Sequence, residues 1–362
     1  MYTFVGLVTV LAVSAATPAP VASADAARLP YWRFTKTSTS HTLRVVDVVD
    51  RSVVWAAGGG FNGTTDAGAV VRTVNGGRSW QNVTPPGGTD EQFRDVEAFD
   101  RNHALVLAVT NGTEPSRFYR TADGGATWQL VFRDPNPDPN AFYDCMAFFD
   151  HRRGLAVGDT AGDRFLPIQA TVDGGRTWRL TPTSGMPAVV PGDGAPATGT
   201  CMVTKGRHDA WFGTVGPESG TPHNPQVFHT RDGGRTWTVA DTPIPGPSGI
   251  TSLTFRDRRH GLAVGGTFLP DVGVAARTSD GGSSWSLVGT PGGFRSGVAW
   301  VPGRRDTAVA VGPTGSDVSS DGGRTWTRFN STTLLGTNCL PHVGCWAVGQ
   351  DGLAARLEFP RG

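Results

Sequence analysis

Lysine is nearly missing from this chain: of 32 Lys and Arg residues only Lys36 and Lys205 are lysine. Neither follows the glycines of a phosphate-cradling loop, which removes the P-loop nucleotide enzymes. Charge is scarce as well, 17% of residues against the usual ~25%. The formal net charge is +1 and the basic residues are scattered, so the electrostatic footprint that nucleic-acid binding needs is absent. The four cysteines form no C-x-x-C and the eight histidines no H-E-x-x-H, which argues against a metal site. There is no G-x-S-x-G nucleophile elbow, and beyond the first residues no segment approaches the ~18 apolar residues of a membrane-spanning helix. What the chain has instead is 50 Gly, 26 Pro and 11 Trp in 362 residues. Abundant turn formers with tryptophans spread throughout describe a turn-rich β protein with a real core.

Residues 4–15, FVGLVTVLAVSA, are an apolar run of signal-peptide length, and Ala22-Ser23-Ala24 supplies an A-x-A cleavage site. Residues 1–26 are therefore read as an export signal and 27–362 as the mature domain. No Lys or Arg precedes the run, so either the α-amine provides the positive charge or the start lies upstream. Export places the mature chain in the periplasm or outside the cell, where cysteines oxidise.

One octapeptide organises the rest. It occurs as TVNGGRSW, TADGGATW, TVDGGRTW, TRDGGRTW, TSDGGSSW and SSDGGRTW, ending at Trp80, Trp128, Trp178, Trp237, Trp285 and Trp326. The intervals of 48, 50, 59, 48 and 41 residues are those of propeller blades or other stacked repeats. Asp or Asn, a Gly pair and hydroxyl residues are hairpin chemistry, and the closing Trp offers a large apolar face to a neighbouring sheet. Upstream of each turn lies a short apolar strand, such as GLAVG at 154–158 and 261–265. There are seven such strands against six turns. Each unit reads as four strands, A to D from the inside out, with the octapeptide at the C–D turn. The seventh unit lacks strand D, and residues 31–36, YWRFTK, are expected to supply it and close the ring. The expectation is an all-β, seven-bladed propeller.

The octapeptide resembles the Asp-box, or BNR repeat, of sialidases, xyloglucan-cleaving glycosidases, sortilin-type receptors and photosystem II assembly-factor-like propellers. Length, a single propeller and the GLAVG strands are most similar to the assembly-factor-like group, which the resemblance presents as non-catalytic protein-binding propellers. It also implies that the box residues Asn75, Asp123, Asp173, Asp232, Asp280 and Asp321 are structural and lie away from the ligand face. One per blade, they are too far apart for the ~5–10 Å carboxylate pairs of glycosidases.

Candidate ligand residues come from aligning the inner strands. LRVVDVV, FRDVEAF and FRSGVAW put Arg44, Arg94 and Arg295 at strand A starts in blades 1, 2 and 6, with Tyr143 in the aligned position of blade 3 beside Asp144. Guanidiniums converging on the channel mouth would bind carboxylates bidentately. Alternatively, each Arg pairs with a nearby acid such as Asp47 or Asp95. An Arg cluster with Tyr and Asp also resembles the sialidase site, but the Arg-Ile-Pro motif and a Tyr–Glu pair are missing. Gly58, Gly60 and Gly63 match G-x-G-x-x-G but lead into a strand, so a B–C loop is expected and no cofactor is implied. In blade 4, the Pro/Gly-rich connection 183–199 and the B–C loop 214–226 are long recognition elements or tolerated insertions.

Spacing alone leaves three pairings open for four cysteines. The repeat alignment brings Cys145 and Cys201 to matching positions in blades 3 and 4, and Cys339 and Cys345 to one hairpin in blade 7. The reading is an exported, monomeric, non-catalytic propeller that binds a protein, peptide or glycan at its channel mouth; the alternative is a sialidase-type or other glycoside hydrolase.

Overall fold

The computed structural model describes residues 29–60, 66–110, 114–136, 138, 142–160, 164–190, 193–196, 198, 200–216 and 223–360. Residues 1–26, read from the sequence as an export signal, and Gly63 lie outside these residues, as do parts of both long blade 4 connections.

Seven four-stranded antiparallel sheets form the ring of a β-propeller. The inner strands are Leu43–Val48, Gln92–Ala98, Tyr143–Phe148, Met202–Lys205, Gly249–Phe255, Gly297–Trp300 and Leu334–Leu340. Strand B is the buried one: Val54–Gly58, Gly154–Gly158, Asp209–Gly213 and Ala308–Gly312 are buried throughout. That explains why the second strand reads as an unbroken apolar run, since both its faces pack on neighbouring blades. The outermost strands, such as Arg179–Leu180 and Ser286–Leu287, are short and exposed, which blunts the sheet edges.

Each octapeptide joins strands C and D. In blade 3, the Asp173 carboxylate accepts from the Thr171 hydroxyl at 2.9 Å, the Arg176 and Thr177 amides at 3.0 Å each, and the Thr177 hydroxyl at 2.7 Å. Gly174 and Gly175 take φ of 76° and 74°. The second glycine is required twice over, because a Cβ there would come within 2.3 Å of Leu105 Cδ2 in the preceding blade. The same close approach recurs from Gly234 to Leu155, Gly282 to Trp211 and Gly323 to Leu262. The turn therefore docks one blade on the next. The closing Trp178 packs edge-on against Phe118 of blade 2 and Phe148 of its own blade. Asn75 keeps the hairpin: its Oδ1 accepts from the Thr73 hydroxyl and Ser79 amide at 3.0 Å each, and its Nδ2 donates to Ser79 Oγ at 2.8 Å.

Residues Tyr31–Lys36 pair antiparallel with Leu353–Glu358 along their whole length, completing blade 7 from the opposite end of the chain. Trp32, 4% exposed, donates from Nε1 to Ser316 Oγ of blade 6 at 2.9 Å and fastens the added strand to its neighbour. A disulfide joins Cys145 to Cys201 across blades 3 and 4. Cys145 is within strand A, whereas Cys201 stands one residue before its strand. A second joins Cys339 to Cys345, facing partners in the blade 7 hairpin.

Candidate functional site

Strand A begins on the face opposite the octapeptide turns, where the B–C loops and D–A connections also emerge. Arg44, Arg94, Tyr143 and Asp144 sit at three successive strand starts on that face. Arg94 Nη1 donates to Asp144 Oδ1 at 2.8 Å, an ion pair between blades 2 and 3 in which the carboxylate is fully buried. Its guanidinium lies over the Phe142 ring, 5.0 Å from the centroid. Arg44 is buried beside this pair and donates from Nη1 to Gly60 O at 3.4 Å. Burial brings the Arg44 pKa down to about 9, helped by repulsion from Arg94 and opposed by Asp144.

A second carboxyl joins the group. Asp159, at the end of strand B in blade 3, accepts from the Ala195 amide at 2.8 Å, so the blade 4 connection is tied to the cluster. Burial pushes Asp159 up to about 6, and burial together with the charge of Asp159 raises Asp144 further from its ordinary value. Two guanidiniums and two carboxyls thus share one buried centre. Arg94 Nε and Asp144 Oδ2 have no hydrogen-bond partner there.

Beside it opens a cavity of about 530 Å³, walled by the blade 2–3 connection, the blade 3 B–C loop and the start of the blade 3–4 connection. Phe142, Phe165, Leu166, Pro182 and Met186 give it an apolar lining, and Asp134, Asp159, Arg164 and Gln169 supply polar groups. Tyr143 also lines it. Its hydroxyl accepts from Gln169 Nε2 at 3.0 Å and its ring packs on Phe118 and Phe132, so burial raises its pKa.

Arg295 is placed differently from the alignment's expectation of three converging guanidiniums. It is fully buried, and Asp317 at 2.6 Å, Phe294 O at 2.7 Å and Thr314 Oγ1 at 3.2 Å hold it within blade 6. The acids suggested as Arg partners do something else. Asp47 accepts from the Ala98 amide at 2.7 Å and Asp95 from the Met146 amide at 2.6 Å, each reaching into the next blade. Sequence reasoning missed Asp159 and the cavity wall, although Asp159 directly follows the GLAVG strand and was in that sense visible.

In the blade 4 connections, His223 Nε2 lies 2.5 Å from Asp193 Oδ1, and Thr214 Oγ1 donates to Asp193 Oδ2 at 3.1 Å. Gly194 and Val215 bridge the two segments. These contacts make a folded wall of part of what reads as insertion.

No protein-family model matches the chain, and no curated protein sequence does. Solved structures do match. A structure described as YCF48 bound to D1 peptide is similar at 17% identity and a TM-score of 0.61, over 90% of this chain and 94% of that one. The GH74 xyloglucanase of Xanthomonas campestris is similar at 14% identity and a TM-score of 0.63, over 91% of this chain but 55% of the enzyme. The extracellular domain of the B. thetaiotaomicron protein BT4673 follows at 9% identity and a TM-score of 0.56, over 90% of this chain and 40% of that one. At these identities the likeness shows the fold, and the three matched proteins differ in kind.

Proposed function

We propose that this chain is an exported, non-catalytic receptor that holds a peptide segment of another protein at the channel mouth. A carboxylate of the ligand would meet Arg44 and Arg94, and an apolar side chain would enter the adjoining cavity. The observation that carries this reading is the juxtaposition of a cationic pair, held in place by Asp144, with an apolar cavity of about 530 Å³ on one rigid face. Such pockets, largely apolar with a few fixed polar groups, are the usual form of a ligand site. The peptide complex of a similarly folded propeller supports the choice of ligand class. Against glycoside hydrolysis, Asp144 is sealed from solvent and occupied by Arg94, which leaves it unable to serve as a nucleophile toward a sugar polymer.

Display of random peptides with free and amidated C-termini tests the proposal. Selection of peptides that need a carboxylate and an apolar residue, and that no longer bind Arg94→Met, is the expected result. Turnover of fluorogenic sialosides or β-glucans, abolished by Arg44→Ala and Arg94→Ala together, would replace the receptor with an enzyme.

A further inference from the structure

The opposite end of the channel carries a second, chemically distinct cavity. It has a volume of about 620 Å³ and runs across the ends of the inner strands of blades 4 to 7, on the face of the octapeptide turns.

The register of the A–B hairpins shows what is unusual there. In the seven blades the first residue of strand B pairs with Val48, Ala98, Phe148, Lys205, Phe255, Trp300 and Leu340. Six of these are apolar, and Lys205 of blade 4 is the exception. In the adjacent blade 5 the residue after the paired position is Arg256, where blades 1, 2, 3 and 6 have Val49, Phe99, Phe149 and Val301, and both Lys205 and Arg256 line the cavity. Arg304 and Arg305 join them from the blade 6 hairpin. Two acids face this group. Asp306 accepts from Arg256 Nη1 at 2.6 Å, and Asp257 lies 3.6 Å from Arg256 Nε and is also held by His260 at 2.9 Å. Arg304 is stacked on Phe359 at 3.7 Å. The side chains of Lys205 and Arg305 make no hydrogen bond or ion pair among the described residues, although Asp257 attracts the Lys205 charge and the Arg305 carbonyl accepts from Arg256 Nη1 at 2.9 Å.

Two further lining residues hold buried polar atoms without partners, Trp300 Nε1 and Asn338 Oδ1. A buried indole N–H wants an acceptor and a buried amide oxygen wants a donor, each costing about 1–3 kcal/mol while unmet. A bare oxyanion supplies only acceptors. An oxyanion that also carries hydroxyl groups supplies both.

We infer that this cavity binds a small acidic sugar, a saccharide bearing a phosphate or a carboxylate, with Lys205 and Arg305 on the anion and Trp300 and Asn338 on the hydroxyls. The site is on the face opposite the proposed peptide site and stands or falls independently of it.

The scarcity of lysine makes the test clean, because Lys36, exposed and donating to Asp351 O at 2.8 Å, is the only other lysine and serves as an internal control. Burial lowers the Lys205 pKa, which favours the reactive free amine. The full chain is acylated with an amine-reactive ester in the presence of glucose 6-phosphate, glucuronate, inorganic phosphate or neutral glucose, and both lysines are quantified by mass spectrometry. Calorimetric titration of the same compounds runs beside it on wild type, Lys205→Met and Arg305→Ala. A charge-assisted hydrogen bond lost in either variant should weaken binding of an acidic sugar roughly ten- to a hundredfold. At about ten times Kd the ligand should slow Lys205 acylation about tenfold and leave Lys36 unchanged. Inorganic phosphate binding as tightly as the sugars would eliminate the hydroxyl contacts. Glucose binding as tightly would eliminate the anion contacts. Absence of binding at ~10 mM, or binding indifferent to Lys205→Met, would overturn the site altogether.

Discussion

Replacing Asp232 in the blade 4 octapeptide turn measures what these turns contribute. Its carboxylate accepts from the Thr230 hydroxyl, the Arg235 amide and the Thr236 amide at 2.9 Å each, and from the Thr236 hydroxyl at 2.6 Å. In Asp232→Ala all four are lost. Individually such bonds are worth about 0.5–1.5 kcal/mol net, and because the turn is at the surface water re-solvates part of what is freed, so the expected cost is about 2–3 kcal/mol. For a chain of this size that is a fall in Tm of roughly 3–4 °C. Asp232→Asn should behave quite differently. At Asn75 the same turn exists with an amide, whose nitrogen donates to the Ser79 hydroxyl instead of accepting from it. The hydroxyl reverses its role, and only the charge assistance disappears, so the cost should stay below about 1 kcal/mol. Scanning calorimetry at neutral pH on the three proteins decides the matter. If the Asn variant melts as low as the Ala variant, the hydrogen bonds are not what the carboxylate provides. If the Ala variant melts with wild type, the turn is held by glycine geometry and tryptophan packing alone.

Four other outcomes follow from the geometry. Arg94→Met leaves Asp144 buried without its counter-ion and should cost about 3–5 kcal/mol in chemical denaturation; adding Asp144→Asn should restore most of the stability while peptide binding stays lost, a split that a purely structural ion pair would not produce. Stability should rise as pH falls from about 7 to about 5, because Asp47 and Asp159 titrate near 6 in the fold and near 4 when unfolded, so the folded state takes up the protons first. Below about pH 4 the sign reverses: Asp123 and Asp280, held down to about 2 by their turn bonds, are protonated in the unfolded chain before the folded one, and a monotonic loss from pH 7 downward would contradict this assignment. Denatured, unreduced protein should show no reactive thiol, and Cys145→Ser with Cys201→Ser should lower stability by about 2–4 kcal/mol.

The fold was legible because its signals repeat. Six octapeptides and seven apolar strands fixed the blade count, and the mismatch between six and seven pointed to Tyr31–Lys36 as the closing strand. The site was harder to read because its partners do not repeat. Alignment brought Arg44, Arg94 and Asp144 to equivalent positions, but it could not show that Asp317, 22 residues away on strand C, encloses Arg295. Nor could it show Asp47 and Asp95 turned toward the amides of the next blade, since a carboxylate beside an arginine looks the same in sequence whichever partner it takes. Lys205 and Arg256 escaped notice for a related reason. Their oddity exists only against the register of the other hairpins, and strand A has the weakest motif in the repeat.

Ring closure also sets an order in time. Tyr31–Lys36 is synthesised more than three hundred residues before Leu353–Glu358, the strand it pairs with, and Tyr31 donates to Glu358 at 2.9 Å across that separation. Until the last strand arrives, Trp32 and its neighbours have no sheet to join. The earliest segment of the domain therefore waits as unpaired chain while the blades between accumulate. Completion of the ring is therefore a single late event that reports on the integrity of both ends at once. Loss of the final strand should thus expose the first, which makes a truncated product recognisable to proteases at a point far from the truncation.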